Sequence, residues 1–161
     1  MIIPKEIIDK IDYRISLYPS GKDKSVIMYA LDILQRHNEG FINKSIMDFI
    51  ATKLNISKVS VEEVVSFYSH YKTEKPGKNC IKVCNGISCF LRGSSQILDN
   101  LQEKLNIKVG QTTKDKKFTL EEVECIAACT NAPAIIINDK YHNNLNKENI
   151  NSVLSEYENH E

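Results

Sequence analysis

The sequence lacks several features that mark common classes of function. Its six glycines are scattered along 161 residues, so neither a G-x-G-x-x-G motif nor a P-loop is present, which excludes the usual nucleotide-binding loops. Lysine plus arginine and aspartate plus glutamate both total 21, and no basic patch indicates nucleic acid or an anionic membrane as a partner. No Ser/His/Asp or Cys/His arrangement has catalytic spacing.

Long apolar segments are also missing. No apolar run approaches the roughly 18 residues of a membrane span, so we expect no direct membrane insertion. The first residues carry Glu6, Asp9 and Asp12 and lack the apolar core of a signal peptide, which favours a mature start. An apolar content of 42% is enough to build a core, and it predicts a globular protein.

Four amphipathic helices are expected in the first half of the chain, because apolar residues recur there at helical spacing. We expect Ser60 and Glu63 to form a capping box at the start of the fourth helix. The apolar positions are Ile8, Ile11 and Ile15, then Ile27, Leu31 and Leu34, then Ile46, Phe49, Ile50 and Leu54, and last Val61, Val64, Val65 and Tyr68.

The pattern changes after Pro76-Gly77 and predicts the order β-α-β-β-α. The chain is therefore expected to be of the α+β class, with a helical domain at residues 1–76 and a second domain at residues 77–161. The expected elements of the second half are a strand ending at Cys84, a helix opening near Ser94, a hairpin turning at 114–117 into a strand at 118–123 with further strand residues near Thr112, a buried strand at 134–137, and a last helix capped by Asn146.

Four of the five cysteines form two close pairs. Cys84 and Cys89 make a C-x4-C pair, and Cys125 and Cys129 make a C-x3-C pair that begins 36 residues after Cys89. A [2Fe-2S] cluster takes two thiolates on each of its two irons, so two loops that each donate a close pair match its demand. Gly86 is expected to let the first loop approach the sulfur atoms closely.

Other thiol chemistry is compatible with this spacing. Structural zinc sites also use closely spaced cysteine pairs, and spacing does not separate zinc from iron. A disulfide or a redox dithiol is less favoured, because the C-x-x-C motif is missing and the cysteine count is odd. A Rieske centre would need two histidines, and all four histidines lie far from the cysteines in sequence. We expect Cys80, the fifth cysteine, to be a small apolar strand residue rather than a ligand.

Several motifs resemble those of the thioredoxin-like [2Fe-2S] subunit of bacterial NADH:quinone oxidoreductase, respiratory complex I, with relatives in NAD-reducing hydrogenases and NAD-dependent formate dehydrogenases. The likeness covers nearly the whole chain. The segments that carry it are Ser66-Phe67-Tyr68-Ser69, Pro76-Gly77-Lys78, Val83-Cys84 to Cys89 with Leu91-Arg92-Gly93-Ser94, Phe118-Thr119-Leu120, Val123-Glu124-Cys125 to Cys129, and Asn131-Ala132-Pro133.

The resemblance implies an N-terminal helical bundle followed by a thioredoxin-like [2Fe-2S] ferredoxin domain. It implies one [2Fe-2S] cluster, with Cys84 and Cys89 on one iron and Cys125 and Cys129 on the other. It also implies a one-electron carrier subunit of NADH dehydrogenase (quinone) with no substrate site of its own. Its partners would be a flavoprotein subunit that carries FMN and binds NADH, and the large iron-sulfur subunit of the same complex, in the cytoplasm at the periphery of the inner membrane.

Two details follow from the second cysteine loop. The family usually has glycine at the position of Ala127, so a positive φ there would strain this chain by roughly 1 kcal/mol. We also expect the Ala132-Pro133 peptide bond to be cis. The alternatives to the complex I function are the same subunit in a hydrogenase or a formate dehydrogenase, and a zinc-stabilised interaction module.

Overall fold

A computed structural model describes residues 3–158 of the chain. The chain divides into two compact units, residues 1–75 and 76–161. The described part of the first unit is helical, as the apolar periodicity predicts. Its elements are α1 (Lys5–Ser16), a 3₁₀ turn (Asp23–Val26), α2 (Ile27–His37), α3 (Lys44–Lys53) and α4 (Lys58–Phe67).

The helices of the first unit enclose one buried core. Ile11, Leu31, Ile46 and Val61, one from each helix, are completely buried in it. These residues belong to the four apolar stripes of the sequence, so the inward position of each is confirmed, whereas Tyr68 of the fourth stripe lies beyond α4 and is 39% exposed. The opposite sides of the helices are solvated, and they include exposed apolar side chains such as Tyr13 and Val59.

The start of α4 differs from the prediction. The helix begins at Lys58, and Ser57 is its N-cap, with its side-chain oxygen accepting a hydrogen bond from the amide of Ser60 at 3.2 Å. The expected capping box of Ser60 and Glu63 is therefore wrong, because Ser60 already lies inside the helix. Ser57, one turn earlier, caps the helix by satisfying the free amide of Ser60 instead.

The second unit contains a mixed four-stranded sheet with helices. Its strand order is β2-β1-β3-β4; β1 and β2 are parallel, whereas β3 runs antiparallel to both β1 and β4. The elements are β1 (Asn79–Cys84), α5 (Ile87–Leu91), α6 (Ser94–Leu105), β2 (Phe118–Val123), a 3₁₀ turn (Cys129–Asn131), β3 (Ile135–Ile137), β4 (Lys140–His142) and α7 (Asn149–Glu158).

A second buried core holds this sheet and its helices together. Ile81 of β1, Leu120 of β2 and Ile135 of β3 are fully buried against Leu101 of α6 and Leu154 of α7. The predicted strands at 118–123 and 134–137 and the helix opening at Ser94 are confirmed. The mixture of helices with one sheet confirms the α+β class.

Two short elements were not predicted. Helix α5 has five residues and strand β4 has three, which is too short for either to show a hydrophobic period. The segment near Thr112 forms one antiparallel bridge with Thr119. Asn146 precedes α7 and accepts hydrogen bonds from the amides of Glu148 and Asn149, as expected for a capping residue. Within residues 3–158, none of the helices has the length and apolar character that a bilayer crossing requires.

Candidate iron-sulfur site

The parallel pairing of β1 and β2 brings the two cysteine loops to one edge of the sheet. Cys84 is the last residue of β1 and pairs in register with Val123, the last residue of β2. Because parallel strands end at the same edge, the loop after Cys84 and the loop that begins at Cys125 start side by side. The amide of Asn85 donates to the carbonyl of Val123 at 2.8 Å and joins the two loops at their origin.

The first pair of cysteines is buried. Cys84 ends β1, and Cys89 lies one turn later in α5; the two residues are 1% and 2% exposed. They pack with Ala132 and Ala134 in a small apolar cluster. Burial raises the pKa of the Cys89 thiol, and the side-chain hydrogen bond with Cys84 raises it further. A bound cation at this position would reverse that preference, since metal coordination favours the thiolate.

The second pair is exposed. The Sγ atoms of Cys125 and Cys129 lie 3.7 Å apart without a bond, and none of the five cysteines, all within residues 3–158, forms a disulfide. Between them Ala127 has a φ of 62°, so the positive φ under which strain was expected at this position is present. The turn directs the Ala127 amide at the Cys125 sulfur, 3.4 Å away. The Ala132-Pro133 bond after this loop is cis, as expected.

The two cysteine loops approach each other at Gly86 and Cys125. A methyl group at Gly86, the N-cap of α5, would approach the Cβ of Cys125 to 3.1 Å, which is tighter than ordinary packing. The φ of Gly86 is −62°, so glycine is required there by close approach and not by a left-handed backbone. Cys129 in turn acts electrostatically on Cys89. Two loops therefore present four sulfur donors to one region, which fits the ligand demand of a diiron cluster.

The structure also describes Cys80 and the other metal-binding side-chain types of the chain. Cys80 lies on β1 four residues before Cys84, about 13 Å away along an extended strand, and its amide donates to Asn138 Oδ1. Within residues 3–158, no three His, Cys, Asp or Glu side chains are grouped around a position for a single metal ion. Of the histidines, His160 lies outside the described residues. Glu122 and Glu124, which precede the second cysteine pair, are exposed.

Two side chains that contact the second loop have clear roles only in the structure. Tyr141 of β4 donates its hydroxyl to the carbonyl of Ile126 at 3.1 Å. Arg92 is exposed and donates Nη1 to the carbonyl of Ala132 at 3.4 Å. No motif indicates Tyr141, because it lies 15 residues beyond its partner in a strand too short to be recognised.

The fold and the paired thiols at its sheet edge define a class of small α+β proteins that ligate an iron-sulfur centre through two loops. The chain belongs to the thioredoxin-like [2Fe-2S] ferredoxin family, whose model matches residues 11–158. The resemblance inferred from the motifs is therefore confirmed. Family membership also confirms the expectation of one [2Fe-2S] cluster, the cofactor that the family's description names.

Two curated proteins have sequences similar to this chain over most of its length. The chain is 40% identical over 143 residues to a subunit of the NADH-quinone oxidoreductase of Rickettsia typhi (strain ATCC VR-144 / Wilmington), covering 89% of this chain and 84% of that protein. It is 37% identical over 155 residues to the mitochondrial NADH dehydrogenase (ubiquinone) flavoprotein 2 of Dictyostelium discoideum, covering 96% of this chain and 63% of that protein.

A solved structure supports the fold. The chain superimposes on an NAD+-reducing [NiFe]-hydrogenase in the air-oxidized state with a TM-score of 0.68 at 19% sequence identity. The match covers 80% of this chain but 22% of the hydrogenase chain, so this protein spans about a fifth of that relative. At this identity the likeness establishes the shared fold.

Proposed function

We propose that this protein is a one-electron carrier subunit of an NADH:quinone oxidoreductase, with one [2Fe-2S] cluster ligated by Cys84, Cys89, Cys125 and Cys129. The single observation that carries the proposal is the convergence of the two cysteine pairs on one edge of the sheet, with Gly86 against Cys125. Relatives that are themselves subunits of NADH-quinone oxidoreductases support the assembly. The cluster, when bound, supplies reversible one-electron chemistry.

The two cysteine pairs differ in exposure, so they would shield the cluster from water unequally. Cys84 and Cys89 are buried and would hold one iron, while Cys125 and Cys129 are exposed and would hold the other. Sulfur ligands bring negative charge, so the Ala127 amide that points at Cys125 provides a compensating dipole. The buried pair keeps water from one side of the site, and the exposed pair leaves the other side open to a partner.

The partner that we propose is a flavoprotein subunit that carries FMN and binds NADH, with the large iron-sulfur subunit in the same complex. Ile87, Phe90 and Leu91 of α5 flank Cys89 and are 80%, 58% and 78% exposed. Three exposed apolar side chains beside an electron-transfer site favour coverage by another protein. We place the complex in the cytoplasm, peripheral to the inner membrane, with no nucleic acid among its partners.

We further propose that the units observed in the chain correspond to two domains, a helical bundle at residues 1–76 and a cluster-binding domain at residues 77–161. Each unit has a separate buried core, which supports the division. The cluster ligands all belong to the second domain. The first domain would then contribute to assembly and not to ligation.

The proposal is tested by anaerobic iron and sulfide analysis combined with EPR after dithionite reduction. About two irons and two sulfides per chain and an S = 1/2 signal are expected. Serine at any one of the four ligand cysteines should remove most of the signal, because one iron would lose a thiolate. Cys80→Ser is the matched control and should leave the signal intact.

Two results would count against the proposal. Loss of the cluster in the Cys80→Ser variant would refute the ligand assignment. A colourless protein that contains zinc and no acid-labile sulfide would refute the electron-carrier function and favour the zinc-stabilised module. The proteins that co-purify with the tagged chain decide between a quinone reductase, a hydrogenase and a formate dehydrogenase.

A further inference from the structure

One peptide group in the second cysteine loop is held at both of its ends. The carbonyl of Ile126 and the amide of Ala127 belong to the same planar unit, so the orientation of one fixes that of the other. The amide points at the Cys125 sulfur at 3.4 Å, and the carbonyl accepts the hydroxyl of Tyr141 at 3.1 Å. Tyr141 therefore acts on the sulfur through a single rigid group.

The backbone at this peptide needs such a restraint. Ala127 has a φ of 62°, a left-handed conformation that is strained for a residue with a Cβ. Rotation of the preceding peptide would relieve the strain, and it would also turn the amide away from Cys125. The hydrogen bond from Tyr141 opposes this rotation because it would be lost at the same time.

The side chain of Tyr141 is 49% exposed, whereas its backbone is anchored. It lies on β4 and pairs in register with Ile136 of β3, the strand that follows the second cysteine loop directly. The neighbouring residue His142 is buried and shares a hydrogen bond of 2.8 Å with the Tyr157 hydroxyl of α7. Strand β4, which carries the phenol, is held by its pairing with β3 and by the hydrogen bond between His142 and Tyr157 of α7.

We propose that Tyr141 is a positioning residue for the cluster, orienting the Ile126–Ala127 peptide so that its amide donates to the Cys125 sulfur. This inference rests on the proposed function, since it assigns Cys125 as a ligand. A hydrogen bond to a ligand sulfur stabilises the reduced, more negatively charged state and so raises the reduction potential. Donation to the carbonyl at the other end polarises the peptide and strengthens that effect.

The experiment replaces the hydroxyl and measures the midpoint potential of the anaerobically purified full chain by EPR-monitored titration. Tyr141→Phe removes only the donor and should shift the potential to more negative values while iron and sulfide contents stay unchanged. Tyr13→Phe, at an exposed position on α1, is the matched control and should leave the potential at the wild-type value.

A second variant should shift the midpoint potential in the opposite direction. Site-specific fluorotyrosine at position 141 is a stronger hydrogen-bond donor and should shift the potential to more positive values. This variant also decides the question if Tyr141→Phe cannot retain iron. A potential unchanged in the fluorotyrosine variant, or shifted in the same direction by both substitutions, would overturn the assignment of Tyr141. A wild-type chain that cannot bind iron and sulfide would instead overturn the proposed function.

Discussion

At the scale of single residues, Ala127 shows how a ligand loop constrains its own sequence. The chain must turn back between Cys125 and Cys129 within three residues, and the turn requires a positive φ at the middle one. Glycine takes this conformation without a steric cost, whereas alanine places its methyl group against the following carbonyl. The sequence shows the cysteine spacing. The family pattern indicated that strain would arise if the φ of Ala127 were positive, and the backbone of the structure shows that it is.

We expect Ala127→Gly to stabilise the protein by about 1 kcal/mol, because it removes the left-handed strain. The gain should appear as a higher melting temperature when variant and wild type are compared in the same state of iron loading. Ala128→Gly is the control, since Ala128 has a φ of −102° and gains nothing from glycine. Equal shifts in the two variants would show that strain at residue 127 is not the cause.

At the scale of secondary-structure elements, the ends of helices are set by small hydrogen-bonding differences. Ser57 and Ser60 are three residues apart, and either could cap a helix with the apolar stripe of α4. The structure uses Ser57, whose hydroxyl lies 3.0 Å from that of Ser60. The stripe predicted the helix correctly, but two serines at helical spacing left its first residue ambiguous.

We expect Ser57→Ala to lower the free energy of unfolding by about 1 kcal/mol, the usual cost of a lost N-cap. Urea unfolding of the two single variants compares the capping positions directly. Ser60→Ala removes a hydroxyl inside the helix and should cost distinctly less. A larger loss of unfolding free energy in Ser60→Ala than in Ser57→Ala would show that Ser60 is the N-cap.

The contact between β4 and α7 predicts a dependence of stability on pH. Burial lowers the pKa of His142 below its ordinary value of 6.5; nearby Lys140 lowers it further, and Glu156 acts in the opposite direction. The unfolded chain therefore binds more protons below pH 6.5 than the folded chain does. Stability contributed by neutral His142 is complete above that pH and is lost as the pH falls through the depressed folded value.

The slope of unfolding free energy against pH tests this expectation. It should be positive below pH 6.5 in the wild type and flatter in His142→Gln, whatever the absolute stability of the variant. His37→Gln, at an exposed site at the end of α2, should retain the wild-type slope. An unaltered slope in His142→Gln would assign the dependence to other groups.

At the scale of the whole molecule, each of the two units has its own buried core, and the candidate iron-sulfur site belongs to the second unit. Ile11 and its neighbours form the first core, while Ile81 and its neighbours form the second, which supports the cysteine loops. All four candidate ligands are in the second unit. We therefore expect ligation to depend on contacts within residues 76–161.

We expect a fragment of residues 77–161 to retain the EPR signal of the full chain, because its core and its cysteines are complete. Iron, sulfide and EPR measurements on the isolated fragment test this. A fragment that folds by circular dichroism but lacks iron would contradict the assignment of ligation to this domain. The fragment carrying Cys84→Ser is the control, which should fold and lack the signal.

The sequence by itself determined what depends on neighbours along the chain: the helical stripes, the strands around Ile81 and Ile135, and the spacing within each cysteine pair. These patterns are local because side-chain periodicity follows directly from backbone geometry. Only the tertiary structure decided how the β1–β2 pairing brings the loop after Cys84 beside the loop that begins at Cys125, why Gly86 must be small, and which tyrosine reaches the Ile126 carbonyl. Each of these joins residues 15 or more positions apart, and packing and register bring them together.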